Sequence, residues 1–479
     1  MYTHRAIAVL SPACTAVLLA IIPLGGCAIS GSDYRPPDTA VPAHWQGPAA
    51  PGARDPATLA HWWRRFNDPG LDDLIQKALA ASTDLKTAQA RLREARARRD
   101  LESADLGATV TASASASRSK SGGEAAHELY QGGFDASWEP DVFGGVRQGV
   151  RAADADVQAS LESLRDVRVS LISEVALNYT ELRTGEKRLA IAGANLAAQQ
   201  ELYELTRWRR QAGLASELDE TQALTLLQQT RAALPSLRTA VVESRYRLDI
   251  LLALPPGELK RSLASTGDIP VAGDDVAVGI PADTLRQRPD VRAAERRVEA
   301  QTARLDQARA ARYPSLRLTG FLGLQAASLG GLSASGATTN SLLAGVTAPI
   351  FESGRIRSNI EVQDAVLEQD RLAYEKAVLD ALQEVENALV SVSNFSQRQA
   401  ELARAGASAR QALELARQQY SAGLADFQTV LDSQRTVLSL DDQLATSEGD
   451  HSTALIQLYK ALGGGWTPSS SSGTAGQSS

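Results

Sequence analysis

Few residues of this chain have side chains that could carry out covalent or acid–base chemistry. The chain has two cysteines, Cys14 and Cys27. Beyond His4, the histidines are scattered at no metal-ligand spacing: His44, His61, His127 and His451. The sequence contains no Gly-rich phosphate loop, no Gly-x-Ser-x-Gly elbow and no Cys/His cluster. We therefore predict that the chain is not an enzyme and uses neither a cofactor nor a metal ion.

Cys27 is the one side chain whose surroundings point to a reaction. His4 and Arg5 precede an apolar run that ends in LGGC at 24–27, which has the layout of an export signal. Leu, two small residues and Cys resemble the lipobox of bacterial lipoproteins. That resemblance implies a signal peptide at 1–26, a diacylglycerol thioether on Cys27 and, because Ala28 follows, sorting to the outer membrane. The alternative is an incidental cysteine that ends an ordinary export signal.

Composition and charge narrow the class of protein. Aromatic residues make up 5% of the chain, which suits long helices packed side by side better than a large globular core. A net charge of −7 gives no reason to expect nucleic acid as a partner. After the signal no run approaches about 20 apolar residues, so no transmembrane helix is predicted. A mature chain that crosses a membrane would have to cross it as strands.

The chain repeats itself. QAGLA at 211–215 matches SAGLA at 421–425, and Phe143 matches Phe351. Each half is predicted to contain a helix, two strands, a very long helix, a Gly-Leu turn and a shorter helix. The first helices are predicted at about 71–105 and 283–312, the very long helices at 145–212 and 355–421, and the shorter helices at 216–253 and 426–462. The predicted division is an extended N-terminal segment at 27–70, a first repeat at 71–254, a linker at 255–282, a second repeat at 283–462 and a disordered tail at 463–479.

Seven-residue ladders run along the predicted helices. In the first long helix they are Val175, Leu182, Leu189, Leu196 and Tyr203. Such spacing keeps one apolar seam toward a neighbouring helix. A helix over 145–212 would be on the order of 100 Å long, so the architecture is elongated. Helices alone would also fit a filamentous coiled coil. Pro235 is expected to bend or break the helix predicted at 216–253.

Two pairs of alternating segments provide the predicted strands. Phe134, Ala136 and Trp138 alternate with Asp135 and Ser137, and similar patterns occupy 108–117, 315–324 and 341–350. Segments 118–132 and 325–340 are predicted to be loops. Strands with one apolar face suit a lipid bilayer. The alternative is two amphipathic hairpins that cover a soluble core, because their strands would show the same alternation. Four strands are too few to close into a membrane β-barrel, so the chain would have to share a barrel with copies of itself. Two copies would give eight strands, and three copies would give twelve strands around an open lumen.

Several motifs resemble the TolC-like outer-membrane factor family, in its NodT/OprM-type efflux lipoprotein branch. They are DYRPP at 33–37, WWRRFNDP at 62–69, WEPDVFG at 138–144, YSAGLAD at 420–426 and VLDSQR at 430–435. The resemblance covers nearly all of the mature chain. It implies a mainly α fold with a small β part: a trimer in which twelve helical staves form an α-barrel below a shared twelve-stranded transmembrane β-barrel.

The resemblance also implies a function and partners. The chain would be the passive exit duct of a tripartite efflux pump of the RND type, for drugs or other small toxic molecules. It would be lipid-anchored in the outer membrane and would reach into the periplasm. A periplasmic adaptor and an inner-membrane transporter would be its partners. The docking tips would be Gln211, Ala212, Gly213, Leu214, Ala422, Gly423 and Leu424. The alternative for these residues is two tight turns without a partner.

A periplasmic gate is also implied, around Tyr420 and Asp432. Where the family has a gate arginine this chain has Ala425, and one family aspartate falls at Thr429, so Arg417, Asp426 or Arg435 would have to substitute. A solvated helix face is the alternative reading of these charges. An exit channel for type I protein secretion shares the fold, and a non-channel coiled-coil scaffold also remains open. Substrate identity cannot be read from the residues.

Overall fold

A computed structural model of the chain describes residues 41–48, 56–123, 125–263, 267–273, 276 and 278–467. The signal segment, Cys27 and the DYRPP motif lie outside these residues. The described elements, in chain order, are α1 (Pro56–Ala60), a 3₁₀ helix (Trp62–Phe66), α2 (Pro69–Ala81), α3 (Thr83–Ala104), β1 (Thr109–Ser119), β2 (His127–Trp138), α4 (Gly145–Gln211), α5 (Glu217–Leu251), α6 (Leu259–Ser262), α7 (Pro281–Gln287), α8 (Pro289–Ala310), β3 (Ser315–Ala326), a 3₁₀ helix (Leu329–Ser333), β4 (Thr338–Thr347), α9 (Arg355–Ser421) and α10 (Phe427–Ala461).

The internal duplication is confirmed by matching helix lengths. α3 and α8 each have 22 residues, α4 and α9 each have 67, and α5 and α10 each have 35. A glycine with positive φ precedes each long helix, Gly144 at 82° and Gly354 at 85°. Since these are left-handed positions that favour glycine, both repeats use the same device to turn from strand to helix.

The structure corrects two predicted helices. The helix expected to run from residue 71 to about 105 is interrupted at Ser82, whose ψ of 131° is extended. The helix expected at 283–312 is interrupted at Arg288, with ψ of 121°. Pro289 explains the second break, because a residue before proline is disfavoured in the α region. Ser82 and Arg288 occupy matching positions in the two repeats.

Pro235 does not break its helix. α5 runs from Glu217 to Leu251 through the proline. Around it the Ser236 hydroxyl donates to the Ala233 carbonyl at 2.7 Å, and the Thr239 hydroxyl donates to the Pro235 carbonyl at 3.1 Å. The expected break at this position is therefore wrong, whereas a bend at Pro235 stays a prediction.

The four strands form one antiparallel sheet in the order β1-β2-β3-β4. β1 and β2 reach further into the predicted loop 118–132 than expected, since Ser119 pairs with His127. β4 ends at Thr347, before Ile350, and a 3₁₀ helix occupies part of the other predicted loop. The apolar face expected from the alternation is solvent-exposed in the single chain, with Phe134 59%, Leu322 58% and Leu342 83% exposed.

The chain divides into two compact units. One contains Arg93–Ala159 and Ala294–Tyr374, and the other contains the described parts of Asp38–Leu92, Ser160–Ala293 and Glu375–Ser479. The sheet belongs to the first unit and the largest hydrophobic cluster to the second. No described helix combines the length and the apolar character needed to span a membrane.

The segments before the first repeat and after the second repeat pack within the second unit, which differs from the extended and disordered structure predicted for them. Trp62, Trp63 and Phe66, expected within an extended segment, are buried in its core, where Trp62 stacks on Tyr459 at 5.1 Å. The tail expected to be disordered from residue 463 is packed through Trp466, which is 5% exposed. Arg165 lies over the Trp466 ring at 4.6 Å. Residues 468–479 lie outside the described part of the chain.

Candidate docking and gate site

The two helix-turn-helix tips share one backbone design. After α4 the Leu214 amide donates to the Arg209 carbonyl at 2.7 Å, and after α9 the Leu424 amide donates to the Gln419 carbonyl at 2.8 Å. Gly213 and Gly423 both have φ of +75°. This is the Schellman arrangement, which needs a residue in the left-handed region just past the helix end. The prediction that these glycines are turn residues is confirmed by the geometry.

Each turn ends at a capped helix N-terminus. Ser216 begins α5 with a capping box: its hydroxyl accepts from the Asp219 amide at 3.1 Å, and the Asp219 carboxylate accepts from the Ser216 amide at 2.9 Å. Asp426 begins α10 by accepting from the Thr429 amide at 2.9 Å and from its hydroxyl at 2.6 Å. Caps of this kind satisfy amides that have no partner within the helix, so both turns are well defined.

The seven predicted docking residues are all exposed. Leu214 and Leu424, at equivalent places in the two turns, are 68% and 80% exposed. Near the first turn two more large apolar side chains are exposed, Trp208 at 62% and Leu218 at 65%. Each tip therefore presents an apolar side chain to the surroundings, and the first tip presents more of them.

Tyr420 is the predicted gate residue that the structure places in a packed cluster. Its ring is tilted against Phe427 at 5.4 Å, and the Arg209 guanidinium lies over it at 4.6 Å. Phe427 and Leu431 form the buried centre of this cluster with Ala223 and Leu226. The cluster therefore joins all four helices that meet at the two tips.

Sequence reasoning missed Arg209 and Phe427. Arg209 lies in the first repeat, 211 positions before Tyr420 in the chain, so no local pattern relates the two. Phe427 could have been found, because it is an apolar residue one helical turn before Val430 of the VLDSQR motif, and the two lie on the same buried face of α10. The cation over Tyr420 comes from the other repeat rather than from Arg417 or Arg435.

The remaining predicted gate residues do not converge within one chain. Asp432 accepts from Gln428 Nε2 at 3.0 Å and lies 3.4 Å from Arg435 Nη1, both on the same helix. Asp426 is engaged as a helix cap. Arg417 is exposed and makes no hydrogen bond or ion pair with any described residue. A lock among these charges is not formed by contacts inside the described chain.

The pKa values of two ionisable groups at the tips, Asp426 and Tyr420, are shifted from their ordinary values. The hydroxyl and then the amide of Thr429, both donating to Asp426, lower the pKa of that carboxyl. Burial raises the pKa of Tyr420, with Arg209 acting in the opposite direction and Asp219 in the same direction as burial. The electrostatic field at Tyr420 is therefore set mainly by first-repeat residues.

A groove lies further along the same helices. It has a volume of about 480 Å³ and is lined by α4, α5 and α10, including Leu226, Leu237 and Arg435. At its wall Arg188 makes a two-point contact with Asp442, at 2.7 and 3.0 Å. Arg435, predicted for the gate, thus borders this groove. Among the described residues no group of three or more His, Cys, Asp or Glu side chains is arranged to hold a metal ion.

The fold and the tips together define a class of protein: a duplicated helix–strand–helix chain with very long paired helices and one small sheet. The sequence model of the family described as outer membrane efflux protein matches residues 74–254 and 280–464, and the chain belongs to that family. These proteins are channel components of efflux systems in the outer membrane, and not enzymes. Being parts of tripartite pumps, they have an adaptor and an inner-membrane transporter as partners.

Individual proteins support the assignment. The chain is 30% identical over 469 residues to the solvent efflux pump outer membrane protein SrpC of Pseudomonas putida, covering 94% of this chain and 98% of that protein. It is 32% identical over 462 residues to the pyoverdine export outer membrane protein OpmQ of Pseudomonas putida, covering 94% and 97%. The solved structure of the outer-membrane channel OprN is 34% identical and superposes with a TM-score of 0.84, covering 91% of this chain and 99% of that chain.

Proposed function

We propose that three copies of this chain assemble into the passive exit duct of a tripartite efflux pump, anchored to the outer membrane through lipid on Cys27. The observation that carries the proposal is the sheet. Within the described residues β1 and β4 each have one side without a strand partner. One face of the sheet is apolar and exposed, at Phe134, Leu322 and Leu342.

Such a sheet is suited to sharing with other copies. In lipid, unpaired backbone groups at a strand edge are costly, so each edge needs a neighbouring strand. Antiparallel pairing of β4 with β1 of another copy would supply it and let a ring close. With three copies the ring has twelve strands, which leaves room for a water-filled lumen.

The second face of the sheet supports a polar lumen. The register places Asp135 beside Thr111 and Phe321, and Ser113 donates to Asp135 at 2.5 Å. On β1 every residue of this face carries a hydroxyl, from Thr109 to Ser119. Passage would therefore be through water, driven by the partner transporter.

The tips are proposed to dock the periplasmic adaptor. Leu214 and Leu424 are exposed at the ends of the longest helices, on turns held by two caps and two left-handed glycines. A rigid turn with one exposed apolar side chain suits docking because little order has to be gained on binding. Tyr420, Asp432, Arg435, Arg417 and Asp426 would then govern opening just above the docked surface.

The cargo is proposed to be small organic molecules. SrpC is named for solvent efflux and OpmQ for pyoverdine export, so relatives of similar identity serve different compounds. A duct that meets cargo only in passage needs no specific site for it.

The decisive experiment is site-specific photocrosslinking in cells. A photoreactive residue placed at Ala212 or Ala422 should capture the adaptor, while the same residue at Ala240, exposed on α5 far from the tips, should not. Deletion of the chain should also make cells hypersensitive to solvents or drugs. Loss of a secreted protein in the deletion strain, with unchanged drug sensitivity, would instead indicate a secretion channel.

A further inference from the structure

Two adjacent apolar residues after β4 are almost fully exposed. Ile350 is 92% and Phe351 is 85% exposed, the two highest values among the large hydrophobic residues of the described chain. They lie in the connection from β4 to α9, beside Gly354. An isolated exposed Leu or Ile needs no explanation, but an adjacent pair at the end of an unpaired edge strand indicates a missing partner.

The first repeat shows what such a residue does when its partner is present. Phe143 follows β2 as Phe351 follows β4, and it is half-buried. Its ring stacks on Tyr313 at 5.1 Å with an angle of 13° between the planes. Tyr313 lies between α8 and β3. The end of β2 is therefore covered by the start of the strand with which β2 pairs.

The duplication relates this contact to the two sheet edges. β4 is the counterpart of β2, and β1 is the counterpart of β3. β2 and β3 pair antiparallel within the chain, whereas β4 and β1 are the outer strands. A strand bearing the same relation to β4 as β3 bears to β2 would be β1 of another copy.

The start of β1 is shaped to receive an aromatic ring. Where the second repeat has Gln307, Arg312 and Tyr313, the first has Leu101, Leu106 and Gly107. Leu101 is 69% and Leu106 is 39% exposed. A Cβ added at Gly107 would meet only the Ala104 carbonyl, at 3.3 Å. The first repeat therefore has apolar side chains at two positions where the second repeat has polar ones, and open space at the position of the Tyr313 ring.

We propose that Ile350 and Phe351 of one chain pack on Leu101, Leu106 and Gly107 of a second copy, where β4 meets the second copy's β1. The inference rests on the proposed function, which supplies the neighbouring copy. Each chain carries both the Ile350–Phe351 pair and the surface that this pair would contact. The contact is therefore head-to-tail and can be repeated around a closed ring. It would seal the junction of strands and helices between copies as the Phe143–Tyr313 stack seals it within a copy.

Crosslinking between two differently tagged chains tests the contact. One chain carries Phe351→Cys and the other carries Leu106→Cys, and outer membranes from cells that produce both are treated with a short bismaleimide. The expected product is a covalent dimer that contains both tags. The matched control replaces the first chain by one with Phe143→Cys, the repeat counterpart, and should give no mixed dimer. Chains without these substitutions control for reaction at Cys27.

A second measurement separates this inference from the proposed function. Phe351→Ser should cause loss of the trimer from native gels at a temperature where wild-type trimers persist, with helix content unchanged. Phe143→Ser should leave the subunit contact in place. Stable trimers with no mixed dimer and no effect of Phe351→Ser would overturn the contact but leave the trimeric duct intact. Absence of any trimer in the wild type would overturn both.

Discussion

The tips of the two repeats have the same backbone but different side chains. Gly213 and Gly423 have identical φ angles, and equivalent amides close both turns. The last turn of α4 carries Arg209 and Arg210, whereas the last turn of α9 carries no basic residue. The first position of α10 is the buried Phe427, whereas the first position of α5 is the exposed Glu217.

This difference assigns separate roles to the two tips. The second repeat contributes the aromatic residues Tyr420 and Phe427, and the first contributes the cation Arg209 that lies over Tyr420. Duplication preserved what the turn requires sterically, because positive φ tolerates few residues. Side chains that face the other repeat were free to diverge as complementary partners.

The largest difference in stability effect between the two repeats is expected at the first residue of α10, Phe427, compared with the first residue of α5, Glu217. Phe427→Ala should lower the free energy of unfolding by about 3–5 kcal/mol, because a fully buried aromatic side chain leaves a cavity. Its counterpart Glu217→Ala should change it by less than about 0.5 kcal/mol. Denaturant unfolding of detergent-solubilised protein measures both. Equal effects would mean that the two tips are packed alike.

The turn glycines should respond equally in the two repeats. Gly213→Ala and Gly423→Ala should each cost roughly 1–2 kcal/mol, because a Cβ is disfavoured at positive φ. Gly193→Ala is the matched control, since Gly193 is helical and a Cβ there would meet nothing within 4 Å. That control should stabilise α4 by about 0.5–1 kcal/mol. If only one of the two variants lowered the free energy of unfolding, the two turns would contribute differently to stability despite their shared geometry.

The caps should differ in their response to pH. Ser216→Ala should cost about 1 kcal/mol of local stability, as read from hydrogen exchange at the Asp219 amide. At the second tip, the lowered pKa of Asp426 means that its stabilisation is present above the unfolded-state pKa of about 3.9. It is lost as the pH falls through the lower folded-state pKa.

Exchange at the Thr429 amide should therefore speed up below about pH 4 relative to the intrinsic rate. Asp426→Asn, which keeps an acceptor without its charge, should remove this pH dependence. An unchanged acid response in that variant would assign the effect to another group.

The smallest contrast concerns the cation over Tyr420. Arg209→Met should cost about 0.5–1 kcal/mol through loss of the cation–π contact, whereas Gln419→Met, at the matching position of the second repeat, should have almost no effect. A double-mutant cycle with Tyr420→Leu isolates the pair. A coupling energy of zero would mean that Arg209 only borders the cluster.

Much of the fold could be predicted from local pattern. The helix pairs α4/α9 and α5/α10 lie within a residue or two of their predicted bounds, because apolar ladders and turn glycines mark them. The helix interruption at Arg288 was readable from Pro289, while that at Ser82 was not, since no proline follows it. The tip residues were readable from the Gly-Leu turns, but what docks on them remains a prediction.

The chain by itself determined the duplication, the helix lengths and the alternation of the strands, since all three depend on spacing along one segment. Only the tertiary structure decided that Trp62 and Trp466 are buried and that Arg209 lies over Tyr420. It also decided that Phe143 has an aromatic partner, whereas Phe351 is exposed and stacks on no ring among the described residues. These outcomes depend on residues far apart in the chain, and side-chain burial is set by whatever surface folding brings against them. Periodicity identifies an apolar face, but it does not identify the surface that covers it.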